Sequence, residues 1–313
     1  MDFAKFSDVA RQTIILSSVF TFLAVLSLSL HVRVRLRQGF GPEDWLTVAA
    51  FGVSLALVAQ TLWAVADSGQ GEHVASVTHS EFEMLGKSLL VHEELWALVN
   101  TLVRLSTSIF IKKIFGVVNR WKLSGIAAMT LSVLHGLATL LVGVLVCRPL
   151  SAAWDPAVEG VCIDQKLSFV IIEAVGLAID LMILLIPILI IPQIQMSRKR
   201  KLPIILILSA GGFVTIITGL RIAALHRVNS SDLTYDQAYL GLLSILGALI
   251  SIIATCVPSF AAIYNQMRTG IFSRFRIHTQ WNSLRVARES GATACVRSVT
   301  RSSVETEDGK LEV

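Results

Sequence analysis

The chain has 313 residues, of which 54% are hydrophobic and 16% charged, with a formal net charge of +5. A water-soluble domain of this length would carry about a quarter charged residues, so the composition excludes a soluble globular body. The positive balance is not a nucleic-acid footprint, because the basic residues are partitioned by position along the chain, as set out below.

Seven apolar runs follow one another, near 12–32, 44–66, 89–111, 123–147, 168–192, 203–226 and 238–264. Each is long enough for a helix to cross roughly 30 Å of hydrocarbon. Only helices and closed barrels satisfy their backbone in lipid, and runs of this length read as helices. The predicted fold is therefore an all-α membrane protein with seven transmembrane helices. Residues 1–11 form a short N-terminus, 12–265 the membrane domain and 266–313 a tail. Run one is too long for a signal-peptide core and lacks a small-x-small cleavage pattern, so it reads as an anchor. The longest outer gap falls at about 67–88.

Basic residues occupy alternate gaps. Arg33, Arg35 and Arg37 follow run one, Lys112, Lys113, Arg120 and Lys122 follow run three, and Arg198, Lys199, Arg200 and Lys201 follow run five. Of 27 Lys and Arg, 11 lie in these three gaps and 8 in the tail. Positive-inside bias then puts the N-terminus outside and the C-terminus in the cytoplasm, facing anionic lipid. Two features agree with that orientation. Asn229 heads the chain's only N-x-S/T sequon, in outer gap six–seven, where glycosylation operates. Cys147 and Cys162 bracket outer gap four–five, where an oxidising compartment favours a disulfide. Closing about 15 residues would contribute roughly 3 kcal/mol.

Glu43-Asp44-Trp45-Leu46 opens run two, Gly69-Gln70-Gly71-Glu72-His73 follows it, and Arg104-Leu105-Ser106 lies in run three. Cys147-Arg148-Pro149, Trp154-Asp155 and Gly160-Val161-Cys162-Ile163-Asp164 fill gap four–five. Asp180 and Pro187 mark run five, Arg221 run six and Cys256-Val257-Pro258 run seven. In order and spacing these residues resemble the fungal rhodopsin-domain integral membrane proteins, over roughly residues 12–265. That family includes the satratoxin-cluster membrane protein and is related to fungal CFEM-type seven-helix receptors. The resemblance implies a multi-pass protein of the plasma membrane or an endomembrane, non-catalytic and receptor-like or accessory. It also implies a tie to secondary metabolism, with a small-metabolite transporter or exporter as the alternative. Gly247 and Leu249 depart from the family pattern, standing where a Glu and an Asn are expected. Retinal is excluded, since run seven, from Gln237 to Tyr264, has no Lys for a Schiff base and run six has none beyond Lys201. No cofactor, metal or catalytic constellation is expected.

Four charged residues lie well within the runs: Arg104, Glu173, Asp180 and Arg221. Charges in hydrocarbon face the bundle interior and pair. Glu173 and Asp180 are seven apart and share a helical face. Depth matches Arg221 with Glu173 and Arg104 with Asp180, so that the charges sum to zero. Either the pairs only lock helices together, or with Asn100, one turn above Arg104, they line a polar pocket. His135 reads as a packing residue. Glu93 and Glu94 lie at the outer mouth of run three. With His73, His79, Glu81, Glu83 and His92 nearby, the mouth offers groups for sensing outer pH or holding a metal, but their spacing matches no established site and they read as solvated loop residues. Run seven carries small residues at spacings of three or four, including Gly241, Ser244, Ala248, Ser251 and Thr255, a close-packing seam. In the tail, 268–288 interleaves Phe272, Phe275 and Trp281 with Arg274, Arg276 and Arg285, as suits a helix on the inner leaflet. Beyond it, Arg297 to Ser303 reads as a kinase target ahead of a disordered end. Expected partners are membrane lipid, a small-molecule ligand and a cytoplasmic signalling protein at the basic tail.

The orientation is tested by reporter acceptor sites. One placed in gap four–five should gain carbohydrate, seen as a gel shift removed by glycosidase. Carbohydrate on a C-terminal acceptor instead would reverse the assignment.

Overall fold

The computed structural model describes residues 7–72, 74–115, 119–155, 157–190, 198–227 and 233–268. Its helices are α1 (Asp8–Gln38), α2 (Pro42–Asp67), α3 (His79–Phe115), α4 (Asn119–Leu145), α5 (Gln165–Ile190), α6 (Arg198–Arg227) and α7 (Leu233–Arg268). Among the described residues, these seven are long and apolar enough to cross a membrane. Asn229, the phosphorylation cluster and the tail segment beyond Arg268 lie outside the described residues.

The helices outrun the apolar runs because their ends are capped by polar residues. The Ser7 hydroxyl accepts from the Ala10 amide at 3.3 Å and opens α1. Pro42 begins α2, and Asp44 accepts from the Gly41 amide at 2.8 Å. The largest difference from expectation is in the gap at 67–88, whose second half is helix. Glu81 accepts from the Thr78 amide at 2.7 Å while the Glu81 amide donates to the Thr78 hydroxyl at 3.4 Å. This reciprocal cap starts α3 ten residues before its apolar run, and Leu85 on the added turns is buried. A hydropathy average overlooks such turns because only one face is apolar.

The gap between α4 and α5 is also structured. Strands β1 (Cys147–Arg148) and β2 (Val161–Cys162) pair antiparallel, with Cys147 opposite Cys162 and the two joined by a disulfide.

Two ends of the bundle can be told apart. The disulfide face carries this hairpin together with the α2–α3 connection. There the Gly71 amide donates to the Thr234 carbonyl at 3.0 Å and Gln70 Nε2 to the Gln237 carbonyl at 3.2 Å. Gly71 has φ 98°, and a Cβ there would press on Ser7, Ala10 and Ala238, so only glycine lets the loop bind α1 and α7 together. The opposite, basic face carries the end of α1, the start of α2 and the end of α3.

Helix α7 is the hub. Buried residues fill 67% of its most apolar stretch, against 17% for α6 and 22% for α5. Ile245, Ala248, Leu249 and Ile252 of α7 pack with Leu57, Val58, Trp96, Val99 and Val103. A second cluster joins Ile111, Ala128, Ile179, Ile183 and Ile186. Lipid tails are as apolar as these side chains, so close approach through small residues holds such bundles together. Ser244, Ala248 and Ser251 are buried, and Gly136 and Gly143 of α4 abut Thr101 and Glu94 of α3. Large apolar side chains elsewhere point outward, Phe22 at 68% and Ile216 at 61% exposure, as a lipid-facing girdle requires.

The unusual Gly247 and Leu249 have a packing reason. Leu249 is fully buried in the α7 core. A Cβ at Gly247 would lie 2.9 Å from the Trp96 ring, which its hydrogen bond to Glu173 holds in place. Gly247→Val should therefore cost about 1–3 kcal/mol, read as a lower melting temperature in detergent. Gly52→Val, where a Cβ meets nothing within 4 Å, should leave stability near that of the parent.

Candidate functional site

Arg221 of α6 is 2% exposed and touches three other helices. One terminal nitrogen pairs with Glu173 of α5, the other lies 2.5 Å from Glu93 of α3, and Nε donates to the Ser244 hydroxyl of α7 at 2.9 Å. The guanidinium sits 4.9 Å from the Trp96 ring centroid, and Trp96 Nε1 donates to Glu173 at 3.0 Å. Arg104 of α3, 6% exposed, forms a two-pronged pair with Asp180 of α5 at 2.7 and 2.9 Å and donates to the Gly176 carbonyl at 3.1 Å. Gly176 leaves the space for it, since a Cβ there would lie 3.0 Å from the guanidinium. Asn100 donates to the Trp96 carbonyl at 2.9 Å. With Glu93, Arg104, Glu173 and Thr139, Asn100 lines a small cavity of about 20 Å³.

The structure brings Arg221 to Glu173 and Arg104 to Asp180, and it corrects three neighbouring expectations. His135 is a member of the network, not a packing residue. Its Nδ1 lies 3.2 Å from Arg104 and its Nε2 2.9 Å from the Ile172 carbonyl. A guanidinium can only donate, so Nδ1 accepts and Nε2 carries the hydrogen given to Ile172. Glu93, toward the disulfide-face end of α3, is also a second partner of Arg221. Two guanidiniums thus meet three carboxylates, and the formal charges do not sum to zero. His92 is buried, not solvated, 3.2 Å from both the Thr61 hydroxyl and Gln60 Oε1. The α3 extension carries Glu93 and His92 inward, because α3 enters the bundle well before position 89.

A second ion cluster, at the basic face, escaped the sequence reading. Asp44 of α2, 1% exposed, lies 2.9 Å from His31 Nε2 and 3.0 Å from Arg35 Nε, both on α1. His31 Nδ1 is 2.9 Å from the Ser259 hydroxyl of α7. Glu43 pairs with Lys113 of α3 at 2.7 Å and with Arg35 at 3.3 Å, and the Ser106 hydroxyl donates to its carbonyl at 2.8 Å. Arg35 and Lys113 read as loop charges, because in sequence they border apolar runs like any topogenic residue. The available signal was the Glu43-Asp44 pair directly at a run boundary.

Between the two clusters lies a cavity of about 110 Å³. Asp44, His31 and Arg35 line one end and Arg104 and Asp180 the other, with Phe110, Leu184 and Leu208 on its walls. Pro187 and Pro258 line it as well, together with Ile183 and Ala254. Proline cannot donate to the carbonyl four residues earlier, so the Ile183 and Ala254 carbonyls lose their helical donors on the cavity wall.

Arg221→Ala strands Glu93 and Glu173 and should cost about 3–5 kcal/mol in a detergent melting assay. Glu173→Ala should cost less than that, because Glu93 still neutralises Arg221, and Glu93→Ala with Glu173→Ala should exceed the sum of the single losses. Additive losses would show that the two carboxylates do not share one cation.

Comparison with known proteins places this arrangement. A SAT4 family membrane protein of Emericella nidulans is 26% identical over 203 residues, 63% of this chain and 50% of that protein. Satratoxin biosynthesis SC1 cluster protein 4 of Stachybotrys chartarum is 27% identical over 133 residues, 42% of this chain and 48% of that protein. Receptor GIN3 of Arthrobotrys oligospora is 23% identical over 227 residues, 70% of this chain and 55% of that protein. The chain spans about half the length of these relatives. No solved structure matches. The fungal rhodopsin domain matches residues 28–266, which takes in both ion clusters and the cavity between them. A seven-helix, multi-pass integral membrane protein, the chain belongs to the fungal rhodopsin domain family.

Proposed function

We propose that this chain is a receptor-like, non-catalytic membrane protein that takes a small, largely apolar molecule into the cavity between its two ion clusters. The observation that carries the reading is the cavity's position. Each end is closed by buried ion pairs that join different helices, so an occupant bears on both sets at once. The volume approaches the ~150 Å³ scale of cavities that accept benzene. The Ile183 and Ala254 carbonyls suit an occupant with a hydrogen-bond donor. Displacing Asp44 from His31 and Arg35 would loosen α2 from α1, whose His31 is also held by Ser259 of α7, a discrete change at the basic face. The disulfide face is then the outer one and the basic face cytoplasmic, where a signalling partner meets the tail. The names of the relatives support the same direction, one a receptor and one a biosynthetic cluster protein. For a non-catalytic role, the carboxylates of both clusters are engaged by arginine, histidine or lysine side chains.

A transporter is the second reading, favoured by one observation. Arg104 lines the cavity on each side of it, toward the basic face and toward the disulfide face. Such a file of cavities, interrupted by ion pairs, is what alternating access through the bundle needs.

Purified protein incubated with an apolar metabolite extract of the host fungus should retain a defined small molecule, identified by mass spectrometry. Ala254→Phe, which puts a ring into the cavity, should abolish retention while leaving the fold intact by circular dichroism. Retention unchanged by Ala254→Phe would sink the cavity reading. Proteoliposomes that accumulate the retained compound would decide for the transporter.

A further inference from the structure

The loop between α4 and α5 is tied at its base by the Cys147–Cys162 disulfide, and its turn lies on the polar first turns of α3. The contact is tight at Gly86, where a Cβ would come within 2.7 Å of the Trp154 Cβ and 3.1 Å of its Cα. The Lys87 ammonium sits 5.6 Å from the Trp154 ring centroid, a second hold on the same residue. Asp155, next in the chain, is therefore delivered to α3 by packing, not by chance placement of a free loop.

On α3, His79 and Glu83 are four residues apart and share a face. His79 Nδ1 is 3.6 Å from Glu83 Oε1. One ligand atom each from His79, Glu83 and Asp155 all lie within 4.8 Å of one another. In a tetrahedral zinc site with bonds of about 2.0–2.2 Å, ligand atoms stand about 3.4 Å apart. The His79–Glu83 edge is close to that length, and the Asp155 edges, within 4.8 Å, need to close by at most about 1.4 Å.

We propose that His79, Glu83 and Asp155 form a divalent metal site, with zinc the best match and water in the fourth position. An imidazole with two carboxylates is a donor set that suits zinc better than calcium or magnesium, which prefer oxygen throughout. His79 is exposed and the two carboxylates are half-buried, so an ion can enter from solvent. Lys87 holds Glu83 Oε2 at 3.6 Å and competes with the metal for that carboxylate.

The site has a consequence for the bundle. Trp154 and Ala153 of the same loop form one wall of a cavity of about 310 Å³ at the disulfide face, whose floor includes Glu93. Metal bridging α3 to Asp155 clamps that wall. The ion would control access to the Glu93–Arg221 pair, whatever occupies the cavity nearer the basic face.

The test uses the full chain in nanodiscs, purified without an oligohistidine tag and stripped with chelator. Zinc chloride titrated calorimetrically should bind with one equivalent. His79→Ala and Asp155→Asn should each weaken binding by roughly tenfold or more. His226→Ala, at the C-terminal end of α6, should leave it unchanged. Zinc should also slow hydrogen exchange at residues 150–155 in the parent chain and not in Asp155→Asn. His79 and His226 are exposed and Asp155 is half-buried, so circular dichroism should match the parent. Absence of saturable binding, or binding that survives both His79→Ala and Asp155→Asn, overturns the site.

Discussion

A guanidinium with 2% exposure in the middle of a membrane bundle must be neutralised within the protein, and Arg221 is that group. Its two carboxylates and one hydroxyl come from α3, α5 and α7, so a single side chain on α6 draws four helices together. Apolar contact cannot supply this specificity in lipid, because leucine against leucine is worth little more than leucine against an acyl chain. Helix α6, whose described apolar stretch is the least buried of the seven, depends most on it. Arg104 repeats the arrangement one layer deeper, with Asp180, Gly176 and His135 as its partners.

The cluster at the basic face serves the other half of the bundle. Asp44 and Glu43 stand in the first turn of α2, where carboxylates complement the helix dipole, and the same carboxylates hold His31, Arg35 and Lys113. A capping position has become a junction of α1, α2, α3 and, through Ser259, α7. The cavity lies in the layer between the two clusters, lined by the proline-bearing stretches of α5 and α7.

The architecture was legible because its causes are local. Span length follows from hydrocarbon thickness and can be counted along the chain. The buried residues Arg104, Glu173, Asp180 and Arg221 stood out because a charge within an apolar run is too costly to leave facing lipid. Helix ends were less legible. The first ten residues of α3 are amphipathic, and a hydropathy window averages their two faces together. The pairing of Glu93 and the burial of His92, like the contacts of His135, were concealed for related reasons. The first two border that hidden extension, and the third is a neutral ring that looks like packing until its donor and acceptor are both visible. Arg35 and Lys113 fit the pattern of topogenic charges so well that their pairing with Glu43 and Asp44 was concealed.

Sequence by itself determined the membrane setting, the number of spans, the family and the side chains that had to pair somewhere. These depend on composition and on spacing along one helix. Only the tertiary structure decided that Arg221 has two carboxylates, that an ion cluster closes the basic face, and that Asp155 reaches His79 and Glu83. Each of these joins residues far apart in the chain, 128 positions in the case of Arg221 and Glu93. Helix packing angles and loop docking set such distances, and no local pattern of residues records them.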